Sequence, residues 1–271
     1  MSAAIRSEFR KFFTTRMWWG MAIAMFVAGA GLAVAFGFLY TSNAMSGGGP
    51  GQGQGAPTGT PVQVANTVYT GYLSIGYLLT LVIGVMQIGS EYRHKTITST
   101  FLGTPRRGRV MGAKVVALLG IGALYGLLSI VGSVVAGAIV LNARGADAFP
   151  GTEVLRSLAL SLLVLGLWAL IGLGAGILIP NQVAALLISV GVAWILEPIA
   201  GLLLSFWDFG REHVVPYLPT QATNAIVSGV TQTGANAVKP LTWWVAALVL
   251  AAYAVVLAGF GSWRTARSDI S

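Results

Sequence analysis

Four stretches of this chain, Met17 to Tyr40, Val64 to Gly89, Val115 to Leu141 and Leu241 to Trp263, run without one charged side chain. Each is at least as long as the roughly 20 apolar residues that carry a helix across ~30 Å of hydrocarbon. Two more, Leu155 to Ile179 and Val183 to Ser205, hold a single ionisable group each, Arg156 and Glu197. In hydrocarbon every backbone N–H and C=O must be satisfied within the protein, which leaves helices for apolar stretches of this length. The expected fold is therefore an all-α integral membrane protein with six transmembrane helices. It forms a single transmembrane domain over all 271 residues, 1–271. Only 9% of the residues are charged, against the roughly 25% of soluble domains.

The segments between the spans differ in kind. Residues 41–61, TSNAMSGGGPGQGQGAPTGTP, are uncharged and dominated by Gly and Pro, so they read as a flexible external loop. Their Gly51, Gly53 and Ala56 have the spacing of a dinucleotide-binding turn, but no strand precedes them and the match is compositional. Pro180, Asn181 and Gln182 leave so little chain between the fourth and fifth spans that these two must form an antiparallel hairpin. Residues 206–240 are long and weakly polar, with Pro216, Pro219 and Pro240, and a short helix is expected from Ala222 to Val230. Trp243, Trp244 and Trp263 bracket the last span as an aromatic belt does.

Cations fix the orientation. Arg6, Arg10, Lys11 and Arg16 precede the first span, Arg93, Lys95, Arg106, Arg107, Arg109 and Lys114 lie between the second and third, and Arg264 and Arg267 follow the sixth. Only Arg144, Arg156, Arg211 and Lys239 fall on the other side. The positive-inside rule then places both termini in the cytoplasm. The first span follows four cations as a signal peptide would, but its apolar run is too long for one, and it reads as a retained anchor. Ahead of it, Ile5, Phe9, Phe12 and Phe13 share one face of a basic helix. Such a helix either lies in the headgroup layer with its phenyl groups inserted or simply flanks the span.

Function classes can be excluded by what is missing. There is no cysteine, so thiolate metal sites and thiol nucleophiles are out, and His94 and His213 are too few and too distant in sequence to suggest a metal. Small residues recur at four-residue spacing, as in Gly29, Ala33 and Gly37, Gly122 and Gly126, Ser133 and Gly137, and Gly172 and Gly176. These let helices approach closely in lipid and identify no function.

The most polar interruption is Glu91 to Lys114, EYRHKTITSTFLGTPRRGRVMGAK. Glu91 to Leu102 can form a short helix ended by Gly103, after which Thr104 can cap, and Pro105 can begin, the helix of the third span. Arg106, Arg107 and Arg109 would then meet lipid phosphates, with Lys114 closing this phosphate-facing start. Gly103 to Val110 approaches the phosphate-loop pattern, but Arg109 stands where that loop needs lysine and Val110 where it needs a hydroxyl, which argues against a nucleotide site.

Glu91-Tyr92-Arg93-His94 with Thr96 and Ile97, followed by Thr104-Pro105-Arg106-Arg107-Gly108-Arg109 and Lys114, resembles the membrane subunit of type-2 ABC exporters. Lys95 stands where that family commonly has glycine. The resemblance implies an N-terminal amphipathic interfacial helix and a cytoplasmic coupling helix between spans two and three. Glu91, Tyr92, Arg93, His94, Lys95, Thr96, Ile97 and Phe101 would form that coupling helix, held in a groove of a separate ATP-binding subunit. It further implies a second permease copy in a homodimer or heterodimer, ATP and Mg on the partner chain, and no enzymatic activity here. The expected cargo is a small amphipathic or hydrophobic molecule, and the expected location a bacterial cytoplasmic membrane.

Glu197 is the remaining residue of interest. A charged carboxylate near mid-membrane costs about 2.5–3.5 kcal/mol on insertion scales. Either it faces a cavity and serves a cationic substrate or a proton, or the span ends earlier and Pro198 marks a break at the outer interface. The first option supports an ion- or proton-coupled carrier as an alternative function; a non-transporting membrane scaffold or immunity protein is another.

Overall fold

The computed structural model describes residues 2–45, 60–94, 107–228 and 238–267. Among them there are helices and turns and no strand. Helix α1 (Ser2–Phe13) is followed by α2 (Met17–Met45), α3 (Pro61–Thr70), α4 (Leu73–Arg93), α5 (Arg107–Ala143) and α6 (Glu153–Leu178). Next come α7 (Gln182–Gly191), a π-helical turn (Val192–Leu196), α8 (Glu197–Ser205) and α9 (Asp208–His213). The chain continues through a 3-10 turn (Val215–Tyr217) to α10 (Pro219–Val227) and α11 (Trp243–Arg267). Among the described residues, six helical runs are long and apolar enough to cross a membrane: Met17–Thr41, Pro61–Arg93, Val110–Ala143, Glu153–Leu178, Gln182–Ser205 and Trp243–Gly261.

Local chemistry sets the boundaries. The Thr14 and Thr15 hydroxyls donate to the carbonyls of Lys11 and Phe12 at 3.0 and 2.8 Å, closing α1 before the first span begins. The second span starts at Pro61, earlier than Val64 and inside the stretch assigned to the loop. Thr60 accepts from the Gln63 N–H while its own N–H donates to the Gln63 side chain, a complete capping box with proline in the first turn. At the far end of α5, Gly145 adopts φ +71°, and the Ala146 N–H reaches back to the Leu141 carbonyl at 2.9 Å. Only a residue without a Cβ takes that left-handed step cheaply. Ile179 and Pro180 end α6, and the Asn181 side chain accepts from the Val183 and Ala184 N–H groups, starting the return helix of the hairpin.

The second and fourth spans are the most enclosed, and the first, fifth and sixth present most of their surface outward. The centre is an α4–α6 contact. A Cβ on Gly84 would meet the Ala169 carbonyl, and one on Gly172 would meet the Leu81 carbonyl, so the two backbones touch at both points. Gly122 of α5 is packed in the same way against Gly166 of α6, and Gly29 of α2 against Ser129 of α5. The four-residue spacings in the sequence thus lie at helix contacts, where close packing rather than water exclusion holds membrane helices together.

Pro198 does not end the fifth span. The helix continues to Ser205 and absorbs the proline by widening to five-residue bonding just before it, with the Glu197 N–H donating to the Val192 carbonyl. In that register the next donor would be residue 198, which has no N–H. The Tyr77 hydroxyl instead donates to the Ala193 carbonyl, at a long 3.4 Å.

The connection after α8 contains the short helix expected there. Its short helix, α10, starts at Pro219 rather than Ala222 and is embedded in the bundle, with Ala222, Thr223, Ala225, Ile226 and Val227 all buried.

Candidate functional site

The polar centre of the molecule lies where α1, the end of α4 and the start of α5 meet. Lys114 donates to Glu8 at 2.8 Å and to Glu91 at 2.6 Å, and Lys11 donates to the same two carboxylates, at 2.7 Å each. Two ammonium groups and two carboxylates therefore alternate in a closed ring of four ion pairs. Gln87 adds a donor, its side-chain amide reaching Glu8 at 3.2 Å. Glu8, Glu91 and Lys114 are 3%, 5% and 1% exposed, whereas the Lys11 side chain is 41% exposed and covers the ring from the solvent side.

Each element brings its charge for a local reason. Glu8 shares the inner face of α1 with Ile5, Phe9 and Phe12, and this face lies on α5: Phe12 meets the Tyr125 ring edge-on at 5.9 Å and Phe9 fills the space beside Gly120. Gln87 and Glu91 are one turn apart on α4, so both point into the same gap. Lys114 lies two turns into α5, where it is almost wholly enclosed. Burial alone would push the Glu8 carboxyl up, but the charges and hydrogen bonds of Lys114 and Lys11 outweigh it and hold Glu8 below its ordinary 4.5. For Lys11, burial pulls the ammonium down, and the bonds to Glu8 and Glu91 more than restore it, leaving it above 10.5.

This arrangement revises two expectations. Lys114 was assigned to a phosphate-facing turn and is instead the most enclosed charge in the ring. The stripe on α1 was assigned to the headgroup layer or to a simple flank. Phe12 instead belongs to the protein core and Phe9 packs against it, with Phe13 left outward beside Trp18.

Of the residues proposed for coupling, Glu91 is buried in the ring, Tyr92 packs against the core, and Arg93 and His94 are exposed at the end of α4. Lys95, Thr96, Ile97 and Phe101 lie outside the described residues, as does Arg106. Arg107 and Arg109 lie in the first turn of α5.

Glu8 was not singled out from the sequence. The available signal was that it is the lone acid before Glu91, placed on the apolar face of a helix otherwise rich in cations.

A family model described as ABC-2 family transporter protein matches residues 4–197, more than two thirds of the chain. The chain belongs to the ABC-2 transporter family. No curated protein matches it in sequence. The matched residues of this ABC-2 transporter protein include the whole ion-pair ring and the first four spans, and stop at Glu197 within the fifth. Membership makes it a membrane transport component of the permease type. The all-helical bundle with six apolar spans fits that assignment.

Glu197, the other residue of interest, is 8% exposed in the fifth span. One of its oxygens accepts from both the backbone N–H and the hydroxyl of Thr220, each at 2.6 Å. No Lys, Arg or His forms an ion pair with it among the described residues.

Proposed function

We propose that this chain is the permease subunit of an ATP-driven exporter, moving a small amphipathic or hydrophobic molecule with work done by a separate ATP-binding subunit. The observation that carries the reading is the ion-pair ring taken together with the family. Glu91 begins the segment that would receive the partner's push, and through Lys114 and Glu8 it is joined to the third span and to α1, hence to the first span. A displacement of that segment is thereby delivered to three spans at once, which is what a lever requires. In this reading the partner holds ATP and Mg, Tyr92, Arg93, His94, Lys95, Thr96, Ile97 and Phe101 make the docking face, and Arg106, Arg107 and Arg109 contact lipid phosphates. A second permease copy completes the transporter. Both termini face the cytoplasm of a bacterial cell.

The ring refines the choice of test. Glu91→Lys would set three ammonium groups against one carboxylate, so a coupling defect there would not isolate the partner contact. Phe101→Ala and Ile97→Ala change none of the four charged groups of the ring. Tagged full-length chain purified from its native host should bring down an ATP-binding subunit whose ATPase activity is vanadate-sensitive, and either substitution should weaken that capture. Purification with no ATP-binding protein, together with transport that survives vanadate, would transfer the case to an ion-coupled carrier.

A further inference from the structure

The second and fourth spans lie side by side in one register. Val62 is 3.6 Å from where a Cβ on Gly151 would sit, Leu165 is 3.5 Å from that of Gly76, and the Tyr72 and Ser161 hydroxyls share a hydrogen bond of 2.7 Å. In each of these pairs the partners are 89 positions apart. That register puts Asn66 of α3 and Ser157 of α6 within about half a helical turn of each other. Both also face the same third element. The Asn66 side-chain amide donates to the Ser228 carbonyl, just past the end of α10, at 3.2 Å. Ser157 precedes Trp168 by about three full turns, so the two share a face of α6, and the Trp168 indole donates to Thr223 of α10 at 2.9 Å. Asn66 and Ser157 therefore flank one seam, on its α10 side, at the end of the bundle remote from the ion-pair ring.

Each brings an orphan oxygen to that place. Asn66 and Ser157 are both 1% exposed, and neither Asn66 Oδ1 nor Ser157 Oγ has a hydrogen-bond partner among the described residues. The Asn66 amide cannot simply turn over, because the Ser228 carbonyl accepts only, and it needs the N–H side. Nor are the two orphans bonded to each other. A buried oxygen without a partner bears its full desolvation cost, and two at one level of one seam point to a shared occupant. Its chemistry is narrowly set. It must give a hydrogen to Asn66 Oδ1 and can accept one from Ser157. It is neutral: α3 and α10 carry no charged residue, and Glu153 and Arg156 of α6 are exposed. It is small, since both oxygens are closed off from the surface.

We propose that Asn66 and Ser157 form a binding site for a single ordered water, which joins the second and fourth spans beside the end of α10. The water donates to Asn66 Oδ1 and accepts from the Ser157 hydroxyl. Its second hydrogen faces the end of α10, where a helix's last carbonyls have no donor within the helix. Two to four such partners are what a buried water needs, and its ordering costs less than leaving both oxygens bare. The seam is thus closed in two ways. Toward the ring Gly84 and Gly172 bring the backbones into contact, and toward the other end, where side chains hold them apart, a water completes the packing. This site rests on the packing of the chain alone and stands whether or not an ATP-binding partner drives the protein.

Brief X-ray irradiation converts an ordered water into hydroxyl radical where it sits, so a buried side chain beside such a water is oxidised and one without it is not. The full-length protein in nanodiscs would be irradiated at short delays after mixing into water labelled with heavy oxygen, and the oxidised residues read by mass spectrometry. Leu158 and Val227, the buried neighbours of Ser157 and Ser228, report the site, and Leu81 and Leu173 report the seam at its glycine contacts. At least one of the first two should be oxidised and neither of the second. At the shortest delay the product should carry ordinary oxygen, from a water that has not exchanged, while exposed Phe149 already carries the heavy isotope. Ser157→Thr and Ser157→Val match in shape and differ in the hydroxyl. Oxidation at the site should be about fivefold lower in Ser157→Val, the occupancy that one ordinary hydrogen bond sustains. No oxidation at Leu158 and Val227 in the parent overturns the proposal, as does heavy oxygen there at the shortest delay, which would mean access from bulk water. Equal oxidation in the two variants also overturns it, and the parent readouts decide even if neither variant folds.

Discussion

The two ends of the bundle bury carboxylates by opposite means. Glu8 and Glu91 lie in a ring with two ammonium groups, and every pair among these described residues is 2.6–2.8 Å long. Glu197 has no cation bonded to it among the described residues and relies on the two donors of Thr220 at the start of a short helix. Removing one member of a buried ion-pair ring leaves a charge without the partner it had. Removing one donor from Glu197 leaves a weaker cap. The ring ties α1, α4 and α5 together through four ion pairs, and the Glu197–Thr220 contact ties α8 to α10 through two hydrogen bonds. The comparison predicts unequal sensitivity to substitution, and unequal dependence on pH and salt.

The largest effect should come from Lys114→Met. It takes away the ammonium bonded to both Glu8 and Glu91 from their buried side, and breaking a buried ion pair by deleting one partner typically costs about 3–5 kcal/mol. Thermal unfolding of the solubilised chain should drop sharply. A loss below about 1 kcal/mol would mean that water reaches the ring and that the two ends are not different in kind. The double variant Glu8→Gln with Lys114→Met retains one balanced pair, Lys11 with Glu91. It should recover roughly 1–3 kcal/mol of the loss, the coupling expected for residues in one network.

How much of this was legible beforehand follows from where each signal lies in the chain. The spans could be read because the membrane demands long apolar runs, and the hairpin at Pro180 and Asn181 because its signal is local. The capping box at Thr60 and Gln63 was equally local and was hidden only by its Gly-rich surroundings. The ring could not be assembled from the sequence, because Glu8 and Lys114 are 106 positions apart, Lys11 and Glu91 80 apart, and nothing in a single chain pairs them. A lone acid among cations reads as surface, and a lysine after three arginines reads as more of the same. Glu197 stood out as an anomaly, but its partner Thr220 lies just ahead of the short helix expected from Ala222, 23 positions away, and nothing in the sequence pairs the two. The widened turn before Pro198 was likewise invisible, since a proline in a membrane helix equally permits a break.

The ring should also respond to pH with a definite sign. Glu8 sits below 4.5 in the folded protein, so its stabilisation is fully present above that value and is lost as pH falls through the lowered one. Lys11 sits above 10.5, so its share is present below that value and is lost as pH rises through the raised one. The difference in thermal midpoint between the parent and the Glu8→Gln, Lys114→Met double variant should therefore be widest between about pH 5 and pH 10 and should narrow in acid and in strong alkali. A difference that stays constant down to pH 3 would show that Glu8 does not carry the charge assigned to it. A milder effect is expected at the Glu197–Thr220 contact, where Thr220→Val should lower global stability by about 1 kcal/mol, the net worth of an ordinary hydrogen bond.

The smallest effect should come from Lys11→Met, which tests the ring from its exposed side. Lys11 makes as many ion pairs as Lys114, so a tally of contacts would rank the two equally. Their surroundings rank them apart: at 41% exposure, water and counter-ions can replace the Lys11 ammonium once it is gone, and the flexible stem no longer has to be held in place. The expected loss is about 0.5–1 kcal/mol, already discounted for solvent. It should shrink further at 1 M salt, where charges are screened beyond about 3 Å, while the loss from Lys114→Met should hardly change. Equal losses from the two lysines at both salt concentrations would mean that Lys11 is as enclosed in the membrane as Lys114, and that α1 lies deeper against the bundle than its outward arginines suggest.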